Sequence, residues 1–217
     1  MAARAVEAGL DTYADGRVDD TTLVYWLQTA SAFADIRIPA QRPDLRDRGA
    51  VDRLDAVDCR ALVEQGGVAG WTALDGDRCG WHRGIDFQPS TGVPDEGHLR
   101  REDGLLIETG VHEAYVEVWE PQPCGVGSIG AIELPLDDGR RQMLVVCGEV
   151  FLFARDRPQP LPPAPSLAVL LDRAGDRQAE IVDLLACELS FGRRGGDAAG
   201  WRIGRSTIPF REVTVAP

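Results

Sequence analysis

Apolar and polar residues alternate over many short stretches of this chain, and turn sequences separate these stretches. Asp-Gly pairs at 15/16, 75/76, 103/104 and 138/139 favour tight hairpins, because both central residues of such turns tolerate positive φ. The pattern predicts a mostly antiparallel β protein, and the number of strands is typical of a barrel or of two packed sheets. The predicted strands are 22–29, 32–38, 68–74, 79–88, 97–101, 104–108, 112–119, 129–135, 141–147, 149–155, 166–172, 180–190, 200–204 and 211–216.

A single short helix is predicted at about residues 53–65, since its apolar residues recur at helical spacing and Gly66 with Gly67 supplies a stop. The residues that carry this spacing are Leu54, Val57, Ala61 and Leu62. We expect this helix to cover one end of a barrel. Prolines lack the backbone donor that a strand needs, so residues 157–165 are predicted to form an extended connector.

Length and composition allow one sizeable hydrophobic core or two small ones, because 44% of the 217 residues are hydrophobic. We predict a single lipocalin-like domain over residues 1–217. Two related β halves, about 20–120 and 121–217, are the alternative, because two segments run from an Asp-Gly turn to a Cys-Gly pair and an apolar strand. Chance similarity of common turn residues explains these segments, 75–83 and 138–155, equally well.

The charge balance narrows the class of partner. A net charge of −12 and a pI near 4.7 argue against duplex DNA and anionic membranes, since both reward clustered cations. All 23 basic residues are arginines, which excludes a Schiff-base lysine or attached pyridoxal phosphate. The N-terminal segment lacks the apolar core of a signal peptide, and no later segment is apolar over the length that spans a bilayer. We therefore predict a cytoplasmic protein with no nucleic-acid or membrane partner.

Cofactor chemistry finds no support in the sequence. The five cysteines are an odd number, lie far apart and form no CxxC pair, so we expect reduced, mostly buried thiols. The three histidines fall in no HxH or HExxH pattern, which predicts no metal site. A GxGxxG fingerprint, a Walker loop and a GxSxG elbow are also missing from the sequence. We expect no metal and no organic cofactor.

Residues 104–119, GLLIETGVHEAYVEVW, are the segment most suggestive of chemistry, because an apolar run turns into one that alternates carboxylates with aromatic and aliphatic residues. In a regular strand successive side chains point to opposite faces. One face then carries Glu113, Tyr115, Glu117 and Trp119, and His112 lies on the other. Two acids, a phenol and an indole on one face suit either a ligand-lined barrel interior or a wet outer surface.

Three residues of this segment are predicted to be catalytic: Glu117, Tyr115 and His112. A carboxylate whose pKa is raised by burial, or a histidine that titrates near neutrality, can move a proton. We prefer Glu117, since Tyr115 and an indole share its face. The alternative is that Glu117 forms an ion pair across the sheet with an arginine such as Arg37 or Arg211.

Two earlier strands carry further candidates. Asp35 and Arg37 share a strand face and could hold a polar group of a ligand, unless they form a structural salt bridge or a solvated surface. A regular strand over 79–88 puts Trp81, Arg83, Ile85 and Phe87 on one face, and a dyad of His82 with Asp86 on the other face would require a bulge near Gly84. Asp86 capping a turn is the alternative. The predicted ligand-binding residues are Trp26, Gln28, Phe33, Asp35, Arg37, Trp81, Asp86, Trp119, Trp201 and Arg211.

Four blocks of sequence together resemble the bacterial relatives of the HRI1 protein family. The blocks are VYWLQTASAFADIRIP, GWTALDGDRCGWHRGIDFQP, LLIETGVHEAYVEVWEP and WRIGRSTIPFRE. Members of that family carry similar WLQT-x-DxR-P, W-x-x-x-DF-x-P, IE-x-G-V-x-x-Y-x-E-x-W and W-x-x-x-x-S-T-x-P-F-R-E patterns. The resemblance implies a lipocalin-like, calycin-type antiparallel barrel, and it supplies no catalytic residues.

These observations favour an all-β, lipocalin-like antiparallel barrel that holds a small hydrophobic molecule. We predict a cofactor-independent enzyme, an isomerase, cyclase or lyase of a biosynthetic pathway, in which the cavity positions a mostly apolar substrate and one side chain moves a proton. A non-catalytic carrier or sensor of a similar ligand is the first alternative. An interaction domain with its barrel filled by side chains is the second. A homodimer is compatible with the sequence.

Overall fold

The computed structural model describes residues 4–13, 16, 18–194 and 200–212, with the backbone alone for residues 4–11 and 13. Within these residues the chain forms two antiparallel sheets and three short α-helices. This is the all-β, lipocalin-like architecture that the sequence predicts. The predicted strand over 211–216 lies mostly outside the described residues, and Pro209–Arg211 forms a short 3-10 helix.

The first sheet contains nine strands and curls until its two ends meet. Its strands are β1 (Arg4–Tyr13), β2 (Val18–Asp19), β3 (Leu23–Gln28), β4 (Ala32–Ile38), β5 (Gly66–Asp75), β6 (Arg78–Asp86), β7 (Asp95–Glu102), β8 (Leu105–Gly110) and β9 (Tyr115–Gln122). From β3 to β9 each strand pairs with the next one along the chain. β1 pairs with β3 on one side and with β9 on the other, which joins the sheet into a barrel.

The second sheet contains five strands in the order of the chain. They are β10 (Ile129–Pro135), β11 (Arg141–Cys147), β12 (Val150–Arg155), β13 (Glu188–Arg194) and β14 (Trp201–Ser206). The boundary between the two sheets falls near the predicted division at residue 120. One continuous hydrophobic cluster contains residues of both sheets. Whether the two halves are related stays a prediction.

Three α-helices lie between the strands: α1 (Ala56–Leu62), α2 (Leu167–Ala174) and α3 (Gln178–Leu184). The first is the predicted helix, although Val57 is 76% exposed rather than part of its apolar face. The predictions of strands over 166–172 and 180–190 are wrong, except at the end of the second range, where β13 begins. Within the described residues, no helix has the length and apolarity that are needed to cross a membrane.

Local chemistry explains why the segment after the proline-rich connector is helical. The side chain of Ser166 accepts a hydrogen bond from the backbone N–H of Val169, as an N-cap residue does. The buried residues then follow helical rather than strand spacing. They are Leu167, Leu170, Leu171 and Ala174. A continuous apolar run of this length fits a buried strand or a buried helix, and the cap decides between them.

A bulge at Gly84 changes which side chains of β6 face the barrel. The pairing of β5 with β6 shifts by one residue between Ala69 opposite Ile85 and Gly70 opposite Arg83. Trp81 therefore packs inside the barrel, whereas Ile85 belongs to the cluster between the sheets. The prediction that Trp81, Arg83, Ile85 and Phe87 share one face is wrong for this reason. His82 is exposed, and Asp86 pairs with Arg83 instead.

Two cysteines form a disulfide, which corrects the expectation of five reduced thiols. Cys124 lies in the connection between the two sheets and is bonded to Cys147 at the end of β11. The hairpin of β10 and β11 places Cys147 opposite Ile129, so the two cysteines approach although 23 residues separate them along the chain. The other three, Cys59, Cys79 and Cys187, are buried free thiols, as expected.

Candidate functional site

The interior of the barrel contains a cavity of about 310 Å³. Its aromatic and apolar lining is Trp26, Phe33, Val68, Trp81, Tyr115 and Trp119, and its charged lining is Asp35, Arg37, Arg83, Asp95, Glu108, Glu113 and Glu117. Trp26, Phe33 and Trp119 are almost fully buried and form the floor, whereas Arg83 and Glu113 are exposed and lie at the mouth. A cavity of this size is at the small end of ligand sites, which combine apolar walls with a few placed polar groups.

Arg37 connects two buried carboxylates, Asp35 on its own strand β4 and Glu117 on β9. Its Nε donates to Asp35 Oδ2 over 2.9 Å, and its Nη1 donates to Glu117 Oε1 over 2.8 Å, with Nη2 3.4 Å from Glu117 Oε2. The other oxygen of Asp35 accepts the backbone N–H of Val68 at 2.7 Å. Alternation along β4 and β9 directs these side chains inward, because Asp35, Arg37 and Glu117 all lie on the barrel face of their strands.

Glu108 lies beside this pair, and its hydrogen-bond partners among the described side chains are both neutral. Its Oε1 accepts the hydroxyl of Tyr115 at 2.7 Å, and its Oε2 accepts the indole N–H of Trp119 at 3.1 Å. It is only 5% exposed. Gly97 on the neighbouring strand makes room for it, since a Cβ there would lie 3.0 Å from Glu108 Cγ and 3.2 Å from the ring of Trp81.

Burial raises the pKa of Glu108 to about 8, and the negative charge of Glu117 adds to the effect. The hydroxyl of Tyr115 acts in the opposite direction but is outweighed. The pKa of Tyr115 is itself raised far above the ordinary value, first by burial and then by the charge of Glu108. Glu108 is therefore largely protonated at neutral pH and can act as a hydrogen-bond donor.

A second charged group lies near the mouth of the cavity. Arg83 forms ion pairs with Asp86 at 2.8 Å and with Asp95 at 3.3 Å. Burial raises the pKa of both carboxyls, although the guanidinium opposes this shift. Asp86 also accepts the backbone N–H of Gln88, which is the turn-capping role considered from the sequence. It lies behind Arg83 and does not line the cavity.

Three indole rings pack against one another along the cavity wall. The ring centres of Trp26 and Trp119 are 4.7 Å apart and those of Trp26 and Trp81 are 6.0 Å apart, both with edge-to-face geometry. The guanidinium carbon of Arg37 lies 5.8 Å from the ring centre of Trp119. The wall therefore already has a cation against one of its rings.

Most of the residues predicted from the sequence lie together in this cavity: Trp26, Phe33, Asp35, Arg37, Trp81, Tyr115, Glu117 and Trp119. Gln28 is buried but not part of the lining. Its Nε2 donates to the backbone carbonyl of Thr29 and to the hydroxyl of Thr72, so it ties β3 to β5. The alternative that Glu117 is held by Arg37 across the barrel agrees with the structure.

Three predicted site residues lie elsewhere. His112 is in the turn before β9, where its Nε2 is 2.6 Å from Glu96 on the outside of the barrel. Trp201 is on β14, 48% exposed, with its ring against Phe151. Arg211 pairs with Glu188 in the second sheet. The prediction that Trp201 and Arg211 bind the ligand in the cavity is wrong, because the second sheet lies outside the barrel. His112, which strand alternation places on the face opposite Glu117, does not line the cavity either.

Glu108, Asp95 and Arg83 are among the cavity residues that were not predicted. The sequence contains a signal for Glu108, since it is a lone carboxylate in the otherwise uncharged run 104–112 and shares strand parity with Leu106. Strand alternation places Arg83 on the same face as Trp81, because the bulge at Gly84 comes after both residues. Asp95 follows the turn 89–94, and its facing depends on where β7 begins.

Among the residues that the structure describes, no three His, Cys, Asp or Glu side chains are arranged to hold a metal ion. The absence of a metal and of an organic cofactor stays a prediction. No protein-family model and no curated protein matches the chain.

The fold is similar to that of one solved structure, the crystal structure of the uncharacterized protein YLR301w from Saccharomyces cerevisiae. The match has a TM-score of 0.60 and covers 94% of this chain and 85% of the yeast chain, at 9% sequence identity. At this identity the similarity concerns the fold alone. YLR301w belongs to the HRI1 family in yeast, so the fold is consistent with the resemblance found in the sequence.

Proposed function

We propose that this protein binds a small organic molecule inside its barrel. The observation that carries the proposal is the cavity of about 310 Å³, whose lining combines three indole rings with six or more ionisable side chains. In an interaction domain with a filled barrel, side chains would occupy this volume. The ionisable groups of the lining are a second argument, because buried ionisable groups cost stability unless they are paired or functional. This is the carrier or sensor alternative of the sequence analysis, with a more polar cavity than the sequence suggested.

We also propose that the chain is a distant relative of the HRI1 family. The four motif blocks and the likeness to YLR301w over 94% of the chain support this relationship. The bacterial origin, the cytoplasmic location and a homodimer stay predictions.

The binding proposal predicts that filling the cavity abolishes ligand binding. Val68 lines the cavity and is buried, so Val68→Phe places a ring in the open volume. We expect the parent protein to change its tryptophan fluorescence with at least some members of a panel of amines, alcohols and carboxylic acids of roughly ten non-hydrogen atoms, a size suited to a small ligand site. Val68→Phe should bind the same compounds at least tenfold more weakly.

The matched control is Val57→Phe, at an exposed position of α1. It should bind like the parent protein. Overpacking the interior costs about 1 to 3 kcal/mol, so Val68→Phe has to be shown to be folded. A circular dichroism melt of each variant provides this check. Equal binding by the parent protein and a folded Val68→Phe, or no binding to any compound of the panel, would contradict the proposal.

A second candidate function is proton transfer by Glu108. The specific observation is a carboxyl with a pKa raised to about 8 that faces open volume and contacts Tyr115. Glu117, the residue preferred from the sequence, is held through both oxygens by Arg37 and is less suited to be a base. A cofactor-independent isomerase, cyclase or lyase would then use Glu108 in its place.

Proton transfer can be tested without knowing the substrate. Small ketones and aldehydes are incubated with the protein in deuterated water, and exchange of their α-hydrogens is followed by NMR. The parent protein should accelerate exchange at least a hundredfold more than Glu108→Gln, since a positioned acid or base contributes about 10² to 10⁴ in rate. Equal exchange rates for the two proteins leave binding as the function.

A further inference from the structure

The charges that face the cavity do not balance. Four strands each contribute one carboxylate to the lining: Asp35 from β4, Asp95 from β7, Glu108 from β8 and Glu117 from β9. The lining contains two guanidinium groups, and Glu113 adds a fifth carboxylate at the mouth. The described part of the cavity therefore carries more acids than bases.

Both arginines are already engaged by other acids. Arg37 binds Asp35 and Glu117, and Arg83 binds Asp95 together with Asp86. Among the described side chains, none with a positive charge forms an ion pair with Glu108. Its two hydrogen-bond donors, Tyr115 and Trp119, are neutral. Glu108 is thus a buried carboxyl without an ion-pair partner among the described side chains, although the nearby charge of Arg37 acts to lower its pKa.

The surfaces around Glu108 are those that favour an organic cation. The faces of aromatic rings attract cations, because the quadrupole of a ring is negative over its face and positive at its edge. Trp81 and Trp119 lie on the strands that flank β7 and β8, and Trp26 packs against both rings. The contact of Arg37 with Trp119 shows that this wall accommodates positive charge.

We infer that the ligand of the cavity is a small organic cation, an amine or quaternary ammonium compound with an apolar body, whose charged nitrogen lies between the carboxyl of Glu108 and the indole rings. This inference rests on the proposed binding function and names its ligand class. A cation there supplies the charge that the cavity lacks. An anion would meet four carboxyl groups, and a neutral molecule would supply no charge opposite to Glu108 when it ionises.

The test uses three compounds of nearly equal size and different charge. 2-Phenylethylamine is a cation at neutral pH, 2-phenylethanol is neutral and phenylacetate is an anion. Affinities are measured by tryptophan fluorescence and by calorimetry with the full chain. The amine should bind at least tenfold more tightly than the alcohol, and phenylacetate should bind most weakly.

Variants separate the role of Glu108 from that of general negative charge. Glu108→Gln should weaken the amine at least tenfold and leave the alcohol unchanged. The control is Glu120→Gln, an exposed carboxylate on β9, which should leave both compounds unchanged. Equal or tighter binding of the alcohol or phenylacetate by the parent protein would overturn the cation assignment and keep the binding function. Failure of all three compounds to bind would overturn the cation assignment, and failure of the whole panel described above would overturn the binding function as well.

The pH dependence gives an independent readout. A cation prefers the ionised form of Glu108, so its binding should release a proton and tighten as the pH rises toward and past 8. Trimethyl(2-phenylethyl)ammonium does not titrate, so any pH dependence of its binding comes from the protein. The affinity of the parent protein for this compound should rise at least tenfold from pH 6 to pH 9. The affinity of Glu108→Gln should not change over this range. A flat profile in both would contradict the placement of the cation at Glu108. The titratable and charged groups that face Glu108 are Arg37, Cys79, Asp95, Tyr115 and Glu117.

Discussion

The Glu108→Gln variant should be more stable than the parent protein above pH 8, and the difference should shrink as the pH falls, to about 1 kcal/mol at pH 5 and to nothing below about pH 4. In the folded protein the pKa of Glu108 is raised from 4.5 to about 8, so the unfolded chain loses this proton first as the pH rises. The folded state binds more protons than the unfolded state between these values, and stability therefore falls with increasing pH. The full shift corresponds to an upper limit of about 5 kcal/mol, and we expect about 2 to 5 kcal/mol.

Glutamine keeps the shape of the protonated acid and removes its titration. Urea unfolding at pH 5, 7 and 9, followed by circular dichroism, measures the free energy of unfolding of both proteins. A chain of this size should show a difference in melting temperature of roughly 5 to 15 °C at pH 9. Burial raises the pKa of Asp86 and Asp95 in both proteins, so the prediction concerns the difference between them.

Glu120→Gln serves as the comparison on the neighbouring strand. It removes one carboxylate from the surface of β9 without touching the cavity, so its unfolding curve should follow that of the parent protein at every pH. If the curves for Glu108→Gln and the parent protein were also parallel from pH 5 to pH 9, Glu108 would not be the buried, uncompensated acid described above.

The inner faces of β4 and β9 could be predicted from the sequence because both strands are regular. A period of two sends Asp35 and Arg37 to one side and the apolar Ile36 to the other, and only one side can pack against the second sheet. The same rule places Glu117 in the barrel. For these strands the alternation of polar and apolar residues is enough to predict which side chains face the barrel, since a shift of the pairing by one residue would bury the wrong face.

β6 shows why the same rule fails elsewhere. One extra residue at Gly84 reverses the facing of every side chain beyond it, and Ile85 moves from the barrel to the core between the sheets. Gly70 on β5 lies opposite this point, and a Cβ on it would lie 2.0 Å from the carbonyl oxygen of His82. The close approach of the two strands requires this glycine, but a glycine in a strand does not by itself reveal where the bulge is.

The placement of His112 and Trp201 depended on long-range structure. Histidine and tryptophan are residue types that often occur in binding sites. However, the pairing of β1 with β9 decides which of the two sheets closes into a barrel, and these strands are more than a hundred residues apart in the sequence. A sequence pattern is local and does not show such a closure. Glu108 is difficult to predict for a different reason, because it is a lone carboxylate next to the apolar residues Leu106 and Ile107, both of which are buried.

Removing Arg37 should destabilise the protein more than removing either of its carboxylate partners. Arg37→Met keeps much of the stem that packs near Trp119 but leaves Asp35 and Glu117 buried without an opposite charge. Breaking a buried pair from one side costs about 3 to 5 kcal/mol, and the partial exposure of Arg37 favours the lower end. Glu117→Gln should cost less, about 1 to 2 kcal/mol, because the arginine keeps Asp35 and reaches water.

The double variant Arg37→Met with Glu117→Gln distinguishes charge from packing. If the loss in Arg37→Met comes from stranded negative charge, neutralising Glu117 should restore about 1 to 2 kcal/mol, since one of the two unpaired carboxylates is gone. If the loss comes from missing contacts of the arginine side chain, the double variant should be no more stable than Arg37→Met alone. Urea unfolding of the four proteins at pH 7 measures this coupling directly. A restored double variant would show that the barrel interior tolerates its acids only while each has a cation, and among the described side chains no cation pairs with Glu108.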